Sequence, residues 1–249
     1  MKMNYYMERR DRMPPKTTKN ALAKRKAEQQ KQQRQLKRRR LIWFSTVGLL
    51  LILIIVVLTI QPKPKPVEFD YAALPVLGQA DAPVKIVEFG DYQCPSCKHV
   101  NELIKPELAK DYIDQGKVAF YFMNLPFIGS DSFTAALAAQ SVYHQSNEAF
   151  WTYFDAIFER QGEENSGWAS PEFLVNLAKE LELPIDFDLL QKDIAEATYQ
   201  DEVSAHLARG DKLGVDSTPT FFINGIEYAG NLGDYETLKK TIDNELAGE

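Results

Sequence analysis

One uncharged segment divides this chain and limits its possible folds more than any other feature. Residues 41–60 read LIWFSTVGLLLILIIVVLTI and contain no Asp, Glu, Lys or Arg. Residues 1–40 carry fifteen Lys and Arg against three acids, a net charge of +12. Residues 61–249 carry fourteen Lys and Arg against thirty-two acids, a net charge of −18. The two ends of the chain therefore suit different surroundings.

The uncharged run predicts a single transmembrane helix at residues 41–60, because an α-helix crosses the hydrocarbon of a bilayer with about 20 residues. Lys37–Arg40 directly precede the run, whereas only Lys63 and Lys65 follow it closely. The positive-inside rule then places residues 1–40 in the cytoplasm as a basic tail, and the acidic part outside the cell membrane. A cleaved signal peptide fits less well, because the leader is long and TIQPKP lacks a small-residue cleavage site.

The basic tail favours the cytoplasmic membrane over nucleic acid as its partner. The stretch KRKAEQQKQQRQLKRRR has no apolar face and suits anionic lipid headgroups. Nucleic-acid binding is the alternative for such a charge run, but no aromatic residue is interleaved to stack on bases. Beyond the uncharged run, the alternating prolines of QPKPKP (61–66) predict a stiff spacer, and we assign residues 61–73 to this linker.

The remaining residues, 74–249, are enough for one domain with a substantial core. The β-branched run PVKIVEFGDY, at residues 83–92, predicts a buried strand. KVAFYFMNL, at residues 117–125, predicts a second one. Between them a helix is expected to begin at Pro95, because the first helical turn does not need a proline N–H. Pro106 then predicts a kink in this helix.

Helical patterns continue from about residue 126 to residue 214, with Ser170 as an expected N-cap. TPTFFINGIEYAG then predicts a hairpin around Asn224-Gly225, and residues 234–248 predict a closing amphipathic helix. The order is strand, helix, strand, helical block, hairpin, helix. It predicts an α/β fold with an all-helical subdomain inserted in its middle.

The two cysteines of the chain, Cys94 and Cys97, follow the first predicted strand in the sequence CPSC. A structural zinc site needs about four ligands, and His99, His144 and His206 have no spacing that would complete one. Two thiolates could capture copper(I), and an oxidising compartment also permits a structural disulfide. A bridge between residues three apart, however, closes too small a loop to stabilise a domain much.

A redox-active pair accounts for more of the neighbouring sequence. A cysteine at the beginning of a helix lies near unpaired backbone N–H groups and the positive end of the helix dipole, which stabilise a thiolate. Cys94 has this position, so we expect its pKa well below the ~8.5 of a free thiol and its sulfur exposed to substrates. A stable thiolate stabilises the reduced form and makes the disulfide a stronger oxidant. Cys97, one turn later, is expected to be buried and to act as the resolving thiol.

The order of elements in this part of the chain resembles the DsbA family of thioredoxin-fold oxidoreductases, in particular its membrane-anchored Gram-positive members of the BdbD type. The features that carry the resemblance are a strand, CPSC at the start of a helix, a helical insertion, Thr218-Pro219 and a final hairpin. The resemblance covers about residues 74–248. It implies a thioredoxin fold with an inserted helical subdomain and a catalytic pair of Cys94 and Cys97, with Pro219 in cis facing the pair. It also implies that Thr218 offers main-chain hydrogen bonds to a substrate peptide. An ordinary turn before a strand is the other interpretation of Thr-Pro.

Pro95 and Ser96, between the cysteines, complete the substrate-binding residues expected from the resemblance. The Gram-negative archetype has Pro-His here, and Ser96 can donate a hydrogen bond but carries no positive charge. Thioredoxins proper place Trp before the first cysteine and Gly-Pro between the two, where this chain has Gln93 and Pro-Ser. They also have a far shorter connection to the proline than the one from Cys94 to Pro219. Both differences favour an oxidase over a thioredoxin-like reductase.

Glu88 is a further catalytic candidate, because an acid in the middle of KIVEF is unexpected in a strand buried on both faces. A buried carboxyl has a raised pKa and can pass a proton when the resolving thiol must ionise. The alternative is a strand-end carboxylate that reaches water. Some DsbA-like proteins pair this acid with a basic residue in the next strand, but VAFYFM offers none. Asp91 is expected to be a cap or turn residue.

These observations predict a membrane-anchored, extracytoplasmic thiol-disulfide oxidoreductase that introduces disulfides into secreted or surface proteins. The redox-active disulfide needs no cofactor, and no metal ligands are assigned, although the resemblance leaves a calcium site open. The expected partners are unfolded secreted substrates and, by resemblance, a quinone-linked membrane reoxidase; no nucleic acid is expected. A disulfide reductase, for example in cytochrome maturation, would use the same residues at a lower potential. A copper-binding module is a further alternative.

Overall fold

The structure, a computed structural model, describes residues 16–59 and 65–248. The chain divides into two compact units, Met1–Lys63 and Pro64–Glu249. Residues 1–15 of the predicted tail lie outside the described residues, and so do residues 60–64, where the predicted span ends and the predicted linker begins.

The first unit contains one long helix, α1 (Lys16–Thr59). This helix joins the basic stretch to the uncharged segment without a break, and a helical tail was not predicted. Ala, Lys, Arg, Gln and Glu are strong helix formers, so the tail favours this conformation even without an apolar face. Residues 55–60 of the predicted span lie outside the described side chains. Within the part of the chain that is described, no helix combines the length and the apolar character that crossing a membrane requires.

The second unit is built on a five-stranded sheet in the order β1-β3-β2-β4-β5. Its strands are β1 (Val76–Leu77), β2 (Val84–Gly90), β3 (Val118–Asn124), β4 (Thr220–Ile223) and β5 (Ile226–Glu227). β2 and β3, the two predicted strands, are parallel and central, while β4 and β5 form the predicted antiparallel hairpin beside β2. β1 pairs antiparallel with β3. It was not predicted, because two residues between Pro75 and Gly78 are too few to show a period.

Five helices fill the interval between β3 and β4, where the helical subdomain was predicted. They are α4 (Ser130–Gln145), α5 (Asn147–Glu159), α6 (Pro171–Glu180), α7 (Phe187–Glu196) and α8 (Gln200–Leu213). Ser170 caps α6 as expected, because its hydroxyl accepts a hydrogen bond from the Phe173 N–H at 3.2 Å. The closing helix is α9 (Tyr235–Ala247). The predicted order of elements is therefore confirmed for this unit.

The helical segment after the cysteine pair runs from residue 95 to residue 113 and alternates between two geometries. It consists of α2 (Pro95–His99), a π-helical turn (Val100–Ile104), α3 (Lys105–Leu108) and a second π-helical turn (Ala109–Ile113). A proline removes one backbone donor and crowds the carbonyl four residues earlier. The wider π-helical turn before Pro106 accommodates this change. The sequence predicted a kink at Pro106; the structure has a π-helical turn before this proline, and the helix continues through it.

The hairpin turn also fastens the beginning of the domain. Asn224 and Gly225 have φ angles of +47° and +80°, the pair of positive values that a tight hairpin turn requires. Val67 N–H donates to the Gly225 carbonyl at 2.8 Å. Phe69 is buried in the core behind this contact. Packing of the domain thus begins within residues 61–73, which were predicted as linker.

The two faces of the sheet carry separate cores. Ile86 and Phe120 belong to the core that contains Cys97, whereas Phe89 belongs to the opposite core with Phe69. Successive strand residues alternate between the faces, so Glu88 shares the face of Ile86. The acid and the second cysteine therefore lie on the same side of the sheet.

Candidate active site

Cys94 occupies the N-cap position of α2, and Pro95 is the first helical residue, as predicted. The Cys94 N–H donates to the Asp91 carbonyl at 3.0 Å, and the Cys94 carbonyl accepts from the Lys98 N–H at 3.1 Å. The residue is only 7% exposed. The Thr218 carbonyl lies 3.3 Å from its Sγ. The residue as a whole is therefore more enclosed than the sequence indicated, and access of substrates to the sulfur itself stays a prediction.

The surroundings of Cys94 lower its pKa from 9.0 to about 6. The largest cause is a hydrogen bond with the Cys97 side chain; the Thr218 side chain and the backbone N–H groups of Cys97 and Ser96 act in the same direction, while burial opposes them. The direction agrees with the sequence-based expectation, which relied on the helix N-terminus. The neighbouring thiol contributes more than either of the two backbone amides alone.

Cys97 has the opposite environment. It is completely buried, and burial, the hydrogen bond with Cys94 and the nearby charge of Glu88 raise its pKa well above 9.0. Both residues are free cysteines in this structure. The predicted burial of Cys97 is confirmed. A thiolate at Cys94 is thus paired with a thiol at Cys97 that can donate to it.

The Thr218-Pro219 peptide bond is cis, as the family resemblance implied. The Cys94 thiol donates to the Thr218 carbonyl at 3.3 Å, a bond that only the protonated thiol can make. The buried Thr218 hydroxyl has no hydrogen-bond partner among the described residues. It is therefore available as a donor once Cys94 ionises.

A cleft of about 390 Å³ opens beside the cysteine pair. Its lining residues are Ser96, His99, Val100, Thr218, Pro219, Gly230, Asn231, Leu232 and Gly233. Ser96 and Thr218, two of the predicted substrate-binding residues, meet in this cleft together with Pro219. Pro95, the third, does not line it.

Glu88 is buried on the sheet face beneath the pair, with 2% of its surface exposed. Burial raises its pKa from 4.5 to about 8, the positive charge of Lys105 lowers it, and the negative charge of Cys94 raises it again. The carboxyl is therefore mostly protonated at neutral pH. The interpretation of Glu88 as a strand-end carboxylate that reaches water is wrong.

The basic neighbour of Glu88 was missed in the sequence. Lys105 comes from α3 and not from the next strand, and it is 7% exposed. Its Nζ donates to Asp155 of α5 and lies 5.0 Å from the ring centroid of Phe154. A signal was present, because Lys105 directly follows Ile104 on the apolar face of the predicted helix. A cation in that position needs a buried partner.

Asp91 is the turn residue that the sequence predicted. Its carboxylate accepts hydrogen bonds from the N–H groups of Gln93 at 2.8 Å, Phe127 at 3.0 Å and Ile128 at 3.1 Å. Burial nevertheless raises its pKa. The side chain ties the turn after β2 to the loop after β3.

No group of three or more His, Cys, Asp or Glu side chains within residues 16–59 and 65–248 is arranged to hold a metal ion. The calcium site that the resemblance left open therefore stays without assigned ligands.

The fold and the site together define the class of thioredoxin-fold disulfide-exchange proteins. Its features here are a parallel β2–β3 centre, an antiparallel hairpin, a Cys-X-X-Cys pair at the start of a helix and a cis-proline beside that pair. The sequence profile of the thioredoxin family matches residues 72–244. The chain belongs to this family, within its DsbA-like thiol-disulfide oxidoreductases.

Individual relatives agree with this assignment. The probable disulfide bond formation protein D of Bacillus anthracis is 39% identical over 180 residues, which cover 72% of this chain and 81% of that protein. The disulfide bond formation protein D of Bacillus subtilis is 39% identical over 175 residues, covering 70% and 78%. The crystal structure of oxidised BdbD from Bacillus subtilis matches with a TM-score of 0.69 at 37% identity, covering 73% of this chain and 97% of that one.

Proposed function

We propose that this chain is a membrane-anchored dithiol oxidase that introduces disulfide bonds into secreted or surface proteins. One observation carries the proposal: hydrogen bonds favour the Cys94 thiolate, which lowers the pKa of Cys94 to about 6. A stabilised thiolate favours the dithiol form, so that the disulfide form oxidises other thiols more strongly. The names of the Bacillus relatives, which refer to disulfide bond formation, support the same direction.

The reaction consists of two thiol-disulfide exchanges. A substrate thiolate attacks the Cys94 sulfur of the Cys94–Cys97 disulfide, which forms a mixed disulfide and releases Cys97 as a thiolate. A second substrate thiolate then attacks the substrate sulfur of the mixed disulfide and releases the Cys94 thiolate. The substrate loses two electrons and two protons and gains a disulfide, and the enzyme becomes a dithiol.

Glu88 serves as the proton donor and acceptor for the resolving thiol. A thiolate at the buried Cys97 is unfavourable, because burial penalises the charged form. The Glu88 carboxyl, protonated at neutral pH with a pKa of about 8, gives its proton to Cys97 when that sulfur is released. It takes the proton back when reoxidation requires Cys97 as a thiolate.

Substrate peptides bind in the cleft beside the pair. The main chain of Thr218 pairs with an extended substrate segment, and Ser96 donates a side-chain hydrogen bond to it. Pro95 and Pro219 border the sulfur of Cys94 with apolar surface, and Pro219 keeps metal ions away from the thiols. The position of Ser96, Thr218 and Pro219 around one cleft supports this arrangement.

The domain acts outside the cytoplasmic membrane, anchored by a helix at residues 41–60, with residues 1–40 in the cytoplasm. The charge difference across the uncharged run supports this orientation. A quinone-linked membrane protein reoxidises the Cys94–Cys97 dithiol and so completes the cycle, as the family resemblance implies.

Equilibration with glutathione buffers separates the oxidase from its alternatives. The full chain in detergent is expected to have a potential above about −200 mV, on the side of the strong protein oxidants. A potential near the roughly −270 mV of thioredoxin would assign the chain to the reductases instead. Tight copper uptake without oxidation of a reduced, unfolded substrate would favour the copper-binding module.

A further inference from the structure

A loop of the helical insertion contacts the backbone of the active-site turn. Gln161, two residues after the end of α5, donates from its side-chain amide to the Tyr92 carbonyl at 2.8 Å and to the Cys94 carbonyl at 3.1 Å. One amide nitrogen has two hydrogens, so both bonds can exist together. The insertion therefore reaches the N-cap residue of α2 with a single side chain.

The same loop is attached to the turn a second time. The Gln93 side chain, 0% exposed, accepts from the Asn165 N–H at 2.6 Å and donates to the Ser132 hydroxyl at 2.9 Å. The Asp131 carboxylate in turn accepts from the Gly167 N–H at 2.8 Å. The loop is thus fixed to both the turn and the first turn of α4, which limits how far Gln161 can move.

Of the two carbonyls that Gln161 contacts, that of Cys94 determines the orientation of the cysteine. It also accepts the first helical hydrogen bond, from the Lys98 N–H at 3.1 Å, so both of its lone pairs are engaged. This carbonyl belongs to the peptide that connects Cys94 to Pro95. Fixing its direction fixes the ψ angle of Cys94, which is 119°. The ψ angle decides whether the Ser96 and Cys97 N–H groups face the sulfur.

We infer that Gln161 is a positioning residue for the redox pair: by holding the Cys94 carbonyl, it keeps the Cys94 sulfur where the Cys97 thiol and the following backbone amides converge on it. The helical insertion thereby sets the oxidising strength of a cysteine that it does not contain. The inference rests on the proposed redox role of Cys94 and deepens it.

Gln161→Met tests the inference, because methionine has a similar length and no N–H donor. A lost hydrogen bond of ordinary strength is expected to raise the measured pKa of Cys94 by about 0.5 to 1. The equilibrium constant for reduction of the disulfide by glutathione is expected to fall by about three- to tenfold. Thiolate absorbance and glutathione equilibration of the full chain in detergent measure the two quantities.

Gln145→Met is the matched control. Gln145 lies in the same insertion and makes the same type of contact, because its side chain bonds the backbone N–H and carbonyl of Asp186 at 2.7 and 3.4 Å. Its substitution is expected to leave the pKa and the equilibrium constant unchanged. Gln161→Lys, which keeps a donor at this position and adds a positive charge, is expected to give a pKa at or below that of the unchanged chain.

The inference is overturned if Gln161→Met leaves the Cys94 pKa unchanged, or if Gln145→Met or Gln161→Lys raises it as much as Gln161→Met does. The proposed function itself would be contradicted by measurements on the unchanged chain, without any substitution. In that case the unchanged chain would already show an ordinary thiol pKa for Cys94 or a reducing potential. The two failures are therefore distinguishable in the same set of measurements.

Discussion

Cys94 and Cys97 are three residues apart and have opposite acidities. Hydrogen bonding lowers the pKa of Cys94 to about 6, whereas burial raises the pKa of Cys97 well above 9.0. At neutral pH the first is a thiolate and the second a thiol that donates to it. Identical side chains thus acquire different roles from their neighbours.

Separate substitution of the two cysteines is expected to distinguish these roles. Cys94→Ser removes the sulfur that substrates attack, so oxidation of a reduced, unfolded protein should be lost. Cys97→Ser retains Cys94 but cannot form the Cys94–Cys97 disulfide, so it is incubated with a substrate that already contains a disulfide. The Cys94 thiolate attacks that disulfide and releases a substrate thiolate, and the mixed disulfide should accumulate because no Cys97 thiol displaces it. Non-reducing electrophoresis after alkylation measures both outcomes. Accumulation in Cys94→Ser and none in Cys97→Ser would reverse the proposed order of attack.

Glu88 makes the stability of the fold depend on pH. Its pKa is about 8 when folded and near 4.5 in an unfolded chain, so the folded state retains a proton that the unfolded state releases between these values. Its contribution is therefore fully present below about pH 4.5 and is lost as the pH rises through about 8. Glu88→Gln removes this titration, and between pH 5 and pH 8 the variant should gain roughly 2 to 4 kcal/mol relative to the unchanged chain.

Urea unfolding at both pH values measures this effect. Glu102→Gln is the control, because the Glu102 side chain is 46% exposed and its substitution should not change the pH dependence. An equal stability difference at pH 5 and pH 8 for Glu88→Gln would show that the folded-state carboxyl titrates normally.

At the scale of elements, α5 connects the helical insertion to the active-site side of the sheet through aromatic packing. The Phe154 ring is 4.7 Å from that of Phe122 in β3 and 5.8 Å from that of Tyr92 in the active-site turn, measured between centroids. It is 1% exposed. Aromatic pairs in such geometries stabilise beyond the area that they bury.

Phe154→Ala is accordingly expected to lower the free energy of unfolding by about 3 to 5 kcal/mol, because it leaves a cavity in this packing. Phe127→Ala removes the same atoms from a side chain that is 52% exposed, and it should change stability by no more than about 0.5 kcal/mol. Thermal or urea unfolding of both variants checks the difference. Similar losses for the two would contradict the assigned packing.

The elements that could be predicted from the sequence are those with local signals. The two central strands have β-branched runs, α2 has Pro95 at its start, and the hairpin has Asn224-Gly225 at its turn. β1 was missed because a tertiary contact decides it, whereas the burial of Lys105 was missed although its place on the apolar face of the predicted helix was a local signal. β1 exists through its pairing with β3, and Lys105 is stabilised by Asp155 of another helix.

The same division applies to the site. The cysteine pair and the cis-proline were predicted because a short motif and a family resemblance indicate them. The Gln161 contact was not, because 67 residues separate it from Cys94 and no local pattern marks a glutamine that bonds a distant carbonyl. The hydrogen bond with Cys97 is the largest cause of the lowered Cys94 pKa. It was also missed, because it depends on side-chain geometry that the sequence does not show.

At the scale of the whole molecule, the proposed anchor predicts where the cysteines are accessible. The chain has two cysteines, both in the second unit. A membrane-impermeant maleimide applied to intact cells after mild reduction is therefore expected to label the chain through Cys94. Cys94→Ser should lose this labelling. Labelling that appears only after the cells are lysed would place the domain on the cytoplasmic side.

Extraction tests the anchor independently of its orientation. The full chain should stay with the membranes in alkaline carbonate, whereas deletion of residues 41–60 should release it. Loss of the full chain into the soluble fraction would contradict the proposed span.

The most direct test of the central claim is the titration of Cys94 in the reduced chain, followed by ultraviolet thiolate absorbance, with Cys94→Ser as the blank. The hydrogen bonds around the sulfur predict an ionisation near pH 6 that the blank lacks. Ionisation at the ~8.5 of a free thiol would contradict the account, because Cys94 would then have no stabilised thiolate to make its disulfide an oxidant.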